Sequence, residues 1–127
     1  MSTRIEDLRP DFQQTAREFI DDLEAQGINH AIYCTGRTAA EQADAFKRGA
    51  SKCDGVKILS PHQKGIAIDV GPLDDRGNWT WDYEKYADEY KAIATVARAH
   101  GLECGQDWAP LDPTTGMGWD PPHYQMV

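Results

Sequence analysis

Two short segments, far apart in the chain, each hold a histidine and an aspartate close together. Ser60-Pro61-His62-Gln63-Lys64-Gly65-Ile66-Ala67-Ile68-Asp69 places six residues between His62 and Asp69, and Asp120-Pro121-Pro122-His123 places two between Asp120 and His123. If these side chains act together, the fold must bring the middle of the chain against its last few residues. Three of them suffice for a catalytic type of zinc site, in which three nitrogen or oxygen ligands leave the fourth position to water. His62, Asp69 and His123 make such a set, and Asp120 is left as a candidate general base.

The spacing has a physical logic. Ile66 to Val70 mixes small and β-branched apolar residues and reads as a short strand. Side chains alternate along a strand, so Ala67 and Asp69 share a face. His62 follows Pro61 in a loop. Gly65 permits a tight backbone between the two, or the close approach of another segment. His123 opens Tyr124-Gln125-Met126-Val127, which reads as a further strand. Pro121 and Pro122 stiffen the approach to it and restrict Asp120.

A histidine in a short domain is ordinarily a surface or a satisfied core residue. His30, ahead of a strand-like run, takes that reading. So does His100, at the end of a helix, where a cation meets the negative end of the dipole. His62 and His123 differ because each comes with a patterned acidic partner and with glycine or proline punctuation.

The remaining pattern reads as α+β, a small single domain over residues 1–127 in which a short antiparallel sheet is flanked by about three helices. Phe12, Ala16, Phe19, Ile20 and Leu23 recur at helical spacing, with Gly27 as the stop. Ile28 to Cys34 reads as a strand. Thr38 and Glu41 form a capping box for a second helix ending at Gly49, and Ser51 to Ser60 reads as a loop. Asp74-Asp75-Arg76-Gly77-Asn78 is a turn signature. Tyr83, Tyr86, Ala87, Tyr90, Ile93, Ala94 and Ala97 mark a third helix stopped by Gly101. Its tyrosines read as core and rim. Leu102 to Cys104 and His123 to Met126 supply short strands. Between them, 107–119 is a long loop of the kind that lines a cleft. Internal repeats are absent.

Composition narrows the function classes. A net charge of −8 argues against nucleic acid and against anionic membranes. No apolar run approaches the roughly 20 residues that span a bilayer. Met1-Ser2-Thr3-Arg4-Ile5-Glu6-Asp7 has no apolar run of the signal-peptide kind, so the expectation is a monomeric protein that is cytoplasmic when made. Cys34, Cys53 and Cys104 cannot all pair and match no zinc-finger spacing, which suits a reducing compartment. Cys34 reads as core.

Ser-x-His-x-x-Gly-x-Ala-x-Asp, followed far downstream by an acidic residue, two spacers and His, resembles the M15 zinc peptidases. These are D-Ala-D-Ala carboxypeptidases and dipeptidases and L-alanyl-D-glutamate endopeptidases. Thr35-Gly36-Arg37-Thr38-Ala39-Ala40-Glu41-Gln42 is similar to the family's Gly-x-Arg-Ser-type segment with its downstream Gln. Here the residue between Gly and Arg is missing, and Thr38 stands for Ser. Gly101-Leu102-Glu103-Cys104-Gly105-Gln106-Asp107-Trp108 is similar to a Gly-Leu-x-Trp-Gly-Gly-Asp-Trp segment of the endopeptidase branch, with Cys104 for Trp and Gln106 for Gly. The resemblance runs from about Asp11 onward.

The resemblance implies a Zn²⁺-dependent peptidase acting on the stem peptide of bacterial peptidoglycan. It implies His62, Asp69 and His123 as ligands and Asp120 as the base. Arg37 is implied to stabilise the developing oxyanion, a role worth on the order of 3 kcal/mol for one good donor; its other reading is a surface ion pair. Ser60, Gln42 and Trp108 are the implied substrate-binding residues. Ser60 equally suits a buttress for the His62 loop, and Trp108 and Trp119 suit either cleft wall or core. The Gly101–Trp108 segment and an Asp at position 120 favour the endopeptidase branch, and with it a phage-type endolysin that reaches the wall after release. The alternatives are a D-Ala-D-Ala carboxypeptidase or dipeptidase, and a zinc-binding module of the same fold without catalysis. A separate wall-binding domain is not expected.

Overall fold

Helix α1 (Pro10–Ala25) starts on a proline, whose missing N–H costs nothing at a first helical position. It ends in a Schellman motif. Gly27, at φ +68°, donates to the Glu24 carbonyl, and Ile28 donates to the Leu23 carbonyl. That closure takes Ile28 out of the following strand, so β1 covers only Ala31–Cys34 of the expected 28–34. Helix α2 (Ala39–Lys47) opens on the expected capping box, with Glu41 N donating to Thr38 Oγ1 at 3.1 Å and Thr38 N to Glu41 Oε1 at 2.9 Å. Strand β2 spans Ala67–Gly71. Helix α3 (Ala87–Ala99) begins after a turn over 83–86 rather than at Tyr83, and Gly101 at φ +75° ends it. Strands β3 (Glu103–Cys104) and β4 (His123–Gln125) close the chain. The computed structural model describes residues 1–49, 51, 53, 55 and 59–127. The loop read over 51–60 lies partly outside the described residues.

The four strands form one antiparallel sheet in the order β1-β2-β4-β3. Three helices and a short antiparallel sheet are what the α+β pattern implied. The register decides what the sheet presents. Ile68 and Val70 of β2 and Tyr124 of β4 join Phe12, Ala16, Phe19 and Leu23 of α1 and Ile93, Ala94 and Ala97 of α3 in the main core. Alternation then gives the opposite face to Ala67 and Asp69 of β2 and to His123 and Gln125 of β4. On that face a Cβ at Gly71 would meet the Tyr90 hydroxyl at 2.8 Å, and Trp108, Trp119, Asp120 and Pro122 of the loop over 107–122 line a cleft together with Asp69. All five residues of β2 are therefore buried, although the strand lies in an antiparallel sheet. Among the described residues no helix is long and apolar enough to cross a membrane.

Candidate active site

Asp69 stands in the middle of the sheet. Its register partner is His123 on one side and Cys34 on the other. Directly opposed residues in a ladder put their side chains on the same face, so strand pairing alone sets Asp69 beside His123. A β-bulge between Ile32 and Cys34 sets the third member of the row. Cys34, read from sequence as core, is buried as expected. Its sulfur also lies within 4.8 Å of ligand atoms of His62 and Asp69. Burial, then the Asp69 charge, push its thiol up to about 12, so the group beside the carboxylate is a neutral thiol.

A turn delivers Asp120. The His123 N–H donates to the Asp120 carbonyl at 3.1 Å, which makes Asp120-Pro121-Pro122-His123 a closed four-residue turn with a proline at its second position. The first and last side chains of that turn are neighbours. Asp120 Oδ2 lies 3.6 Å from His123 Nδ1.

His62 arrives on a tight turn over 61–65. Ser60 Oγ accepts from Gln63 N at 3.1 Å, and the Ser60 carbonyl accepts from Lys64 N at 3.1 Å. Ser60 is buried and here buttresses the His62 turn, one of its two expected roles. Gly65 sits at φ +75°, and a Cβ there would lie 2.8 Å from Arg9 N. Both reasons offered for this glycine therefore hold. Lys64 is exposed.

These segments converge on one point. His62 Nε2 lies 3.0 Å from Asp69 Oδ1, and His123 Nδ1 lies 3.6 Å from the same oxygen. The two rings stand at 83° with centroids 5.0 Å apart. Asp69 Oδ1 is buried without a hydrogen-bond partner, as is His62 Nδ1. A buried acceptor flanked by two imidazole nitrogens with no hydrogen bond to either would be costly. It is the arrangement expected of donors aimed at a shared cation, and two nitrogens and one carboxylate oxygen suit zinc. The donors that lie within 4.8 Å of one another are Cys34, His62 and Asp69, and His123 Nδ1 stands 3.6 Å from Asp69 Oδ1; with the thiol neutral, the two imidazoles and the carboxylate are the set whose chemistry fits the ion that the resemblance implies.

The electrostatics agree. Burial alone would raise the Asp69 carboxyl, but the His62 and then the His123 imidazole outweigh it and hold it well below the usual carboxylate range. Burial pulls His123 down, Asp69 outweighs it, and the ring stands above its ordinary value. Burial, then the Asp69 charge, push Asp120 up to about 6.

A cleft of about 770 Å³ opens over this point, and Arg37, Ser60, His62, Asp69, Trp108, Trp119, Asp120 and His123 line it. Trp108 packs on His123 at 4.9 Å and on Trp119 at 5.1 Å. Gln42 does not line the cleft. It is wholly buried, its Oε1 accepts from Arg37 Nη1 at 3.1 Å, and its amide nitrogen donates to Ser51 Oγ and the Cys53 carbonyl. It holds Arg37 in place and is not among the residues that line the cleft.

Three features escaped the sequence reading. Trp81 and Tyr83 line the cleft from a second side, and Trp81 packs on Tyr33 at 5.0 Å. The alternation Trp79-Thr80-Trp81-Asp82-Tyr83 signals an extended aromatic edge. Gln125 lies 2.8 Å from His123 Nε2; its place two residues after His123 on a strand was the available signal. Gly105 packs so closely on the chain carrying Asp120 that a Cβ there would collide with the Asp120 carbonyl. Gly105→Ala should therefore displace Asp120 and destabilise the fold by about 1–3 kcal/mol, the usual penalty for overpacking. Thermal unfolding beside turnover measures both effects.

Residues 54–126, more than half of the chain, match a peptidase M15 family model described as D-alanyl-D-alanine carboxypeptidase. The L-alanyl-D-glutamate peptidase of Listeria phage A118 is 34% identical over 95 residues, 74% of this chain. This chain spans only 31% of that protein's length. The Serratia marcescens L-Ala D-Glu endopeptidase ChiX has a similar structure, with a TM-score of 0.65 and 25% identity, over 97% of this chain and 83% of that one. The vancomycin resistance D,D-pentapeptidase VanY, in complex with Zn(II), shares the fold at a TM-score of 0.56 and 22% identity, over 94% of this chain and 72% of that one. By sequence match and by architecture, this chain belongs to the M15 peptidase family.

Proposed function

We propose that the protein is a zinc-dependent peptidoglycan peptidase that hydrolyses the L-alanyl-D-glutamate bond of the wall stem peptide. The observation that carries this reading is the convergence of His62 Nε2, His123 Nδ1 and Asp69 Oδ1, without hydrogen bonds to that oxygen, beneath an open cleft that also holds Asp120 and Arg37. The phage relative and the Serratia enzyme, both named for the L-Ala–D-Glu bond, favour that bond over D-Ala-D-Ala.

His62, Asp69 and His123 would hold the ion. Zinc, when bound, acidifies water and polarises the scissile carbonyl. Asp120 takes the proton from the attacking water and returns it to the leaving amine. A carboxyl near 6 is well placed for this, because a general base works best with a pKa near the working pH; a cation in the site would draw it lower. Arg37, pinned by buried Gln42, presents its guanidinium to the charge that develops on the carbonyl oxygen. Trp108, Trp119 and Trp81 supply flat apolar walls for an extended peptide.

Purified peptidoglycan, digested with and without added zinc and followed by mass spectrometry, tests the reading. New N-terminal D-Glu supports it. Released D-Ala would instead mark a carboxypeptidase, as the family description suggests. No product would mark a binding module.

Arg37 has its own expected result. Arg37→Ala should lower turnover by about 10²-fold or more, as loss of one oxyanion donor does, with zinc content unchanged. Arg37→Lys should recover only part, since an ammonium does not reproduce the planar donor fork. A surface ion pair, worth about 0–1 kcal/mol, would leave both variants near the parent in steady-state kinetics on a defined muropeptide.

A further inference from the structure

We propose that Gln125 and Glu103 form a positioning relay that fixes which ring nitrogen of His123 faces the metal. The inference rests on the reading of His123 as a ligand, but it begins outside the metal site. Glu103 on β3 is the register partner of Gln125 on β4, so their side chains lie side by side. Gln125 Nε2 donates to Glu103 Oε2 at 3.1 Å, and Gln125 Oε1 lies 2.8 Å from His123 Nε2. The same Glu103 oxygen accepts from Trp108 Nε1 at 3.1 Å.

The donor and acceptor inventory fixes the orientation of the amide in this chain of contacts. An ionised carboxylate only accepts, so the amide must turn its NH₂ toward Glu103. The amide carbonyl then faces His123 and can only accept. In the neutral ring this carbonyl draws the proton to Nε2, against Asp69 Oδ1 and Asp120 Oδ2, each 3.6 Å from Nδ1; a cation on that side would take the Nδ1 lone pair. Nδ1 is the nitrogen 3.6 Å from Asp69 Oδ1, on the side where an ion would bind. A carboxylate that touches neither metal nor substrate thus selects the tautomer able to ligate. Glu103 also steadies the ring from its face, because the indole it holds packs on His123 at 4.9 Å. Partners of this kind, which orient a metal-bound histidine through its other nitrogen, typically contribute 10–100-fold in metal affinity.

The test uses the full chain with two variants, Gln125→Leu and Glu103→Ala. The first removes the acceptor. The second leaves the acceptor but frees the amide to rotate, and it keeps the proposal testable if Gln125→Leu fails to fold. One readout is nitrogen–proton NMR of the histidine rings in the metal-free protein, at a pH where the rings are neutral. The other is zinc affinity by chelator competition. The parent should show His123 as a single Nε2–H tautomer. Gln125→Leu should show a mixture and bind zinc about 10–100-fold more weakly; Glu103→Ala should shift both readouts the same way by less. An Nδ1–H tautomer in the parent, or a Gln125→Leu protein with unchanged tautomer, overturns the relay. A lost tautomer preference with unchanged zinc affinity upholds the relay and overturns His123 as a ligand, so the two failures are distinguishable.

Discussion

Asp120→Asn is expected to bind zinc as the parent does, to fold as the parent does, and to lose about 10²–10⁴-fold in turnover, the usual contribution of a general base. The geometry separates the two roles. The 120–123 turn sets the Asp120 carboxylate beside His123 Nδ1 at 3.6 Å, but the oxygen that two imidazoles flank belongs to Asp69. Asp120 is also the carboxyl that burial and the Asp69 charge push up to about 6, whereas Asp69 is held low by its two histidines. Two carboxylates within one site, driven in opposite directions by their surroundings, are suited to different tasks. Asparagine keeps the size of the side chain and removes its basicity, so the loss should appear in turnover and not in metal content. Elemental analysis and steady-state kinetics on purified peptidoglycan check the two separately. Turnover near the parent at saturating metal would mean that another group is the base.

Much of the fold was legible because local chemistry and tertiary packing agree. The capping box of α2 and the Gly27 stop of α1 are local hydrogen-bond patterns with fixed spacing, and both form as read. The start of α3 was not legible to the same degree. Tyr83 and Tyr86 keep helical spacing, yet 83–86 is a turn and Tyr86 stands as the N-cap, its carbonyl accepting from Tyr90 N while its hydroxyl accepts from Asp75 N at 3.1 Å. The same helix then anchors to the cleft wall through Tyr90, whose hydroxyl donates to the Thr80 carbonyl.

The site shows a similar division. Residue type and spacing pointed to His62, Asp69, His123 and Asp120, because the 120–123 turn and the alternation of β2 are short-range. Their mutual geometry depends on the register of β2 against β4, which no local pattern encodes. The bulge that brings Cys34 beside Asp69 is likewise a property of pairing. Gln42 illustrates the limit most plainly. A buried glutamine that pins Arg37 and an exposed one that touches a ligand look alike in sequence; only the described contacts to Arg37, Ser51 and Cys53 separate them.

Removal of a metal ligand should have the other large effect. His123→Ala leaves two donors, and a chain that held zinc through three should then release it to a moderate chelator and lose hydrolysis altogether. His62→Ala should behave alike. The parent offers a readout independent of activity. Asp69 Oδ1 is buried without a hydrogen-bond partner, so the metal-free site carries a cost that an ion bound between the donors offsets. Zinc should therefore raise the unfolding temperature of the parent, with a stabilisation of about 2.7 kcal/mol when free zinc stands at 100 times the dissociation constant. The same zinc should leave His123→Ala nearly unmoved. Calorimetry across a zinc series, with elemental analysis of each purified variant, gives the comparison. Full zinc occupancy in His123→Ala, or a thermal shift equal to the parent's, would refute the three-ligand assignment and move attention to the remaining donor beside His62 and Asp69, the buried Cys34 thiol.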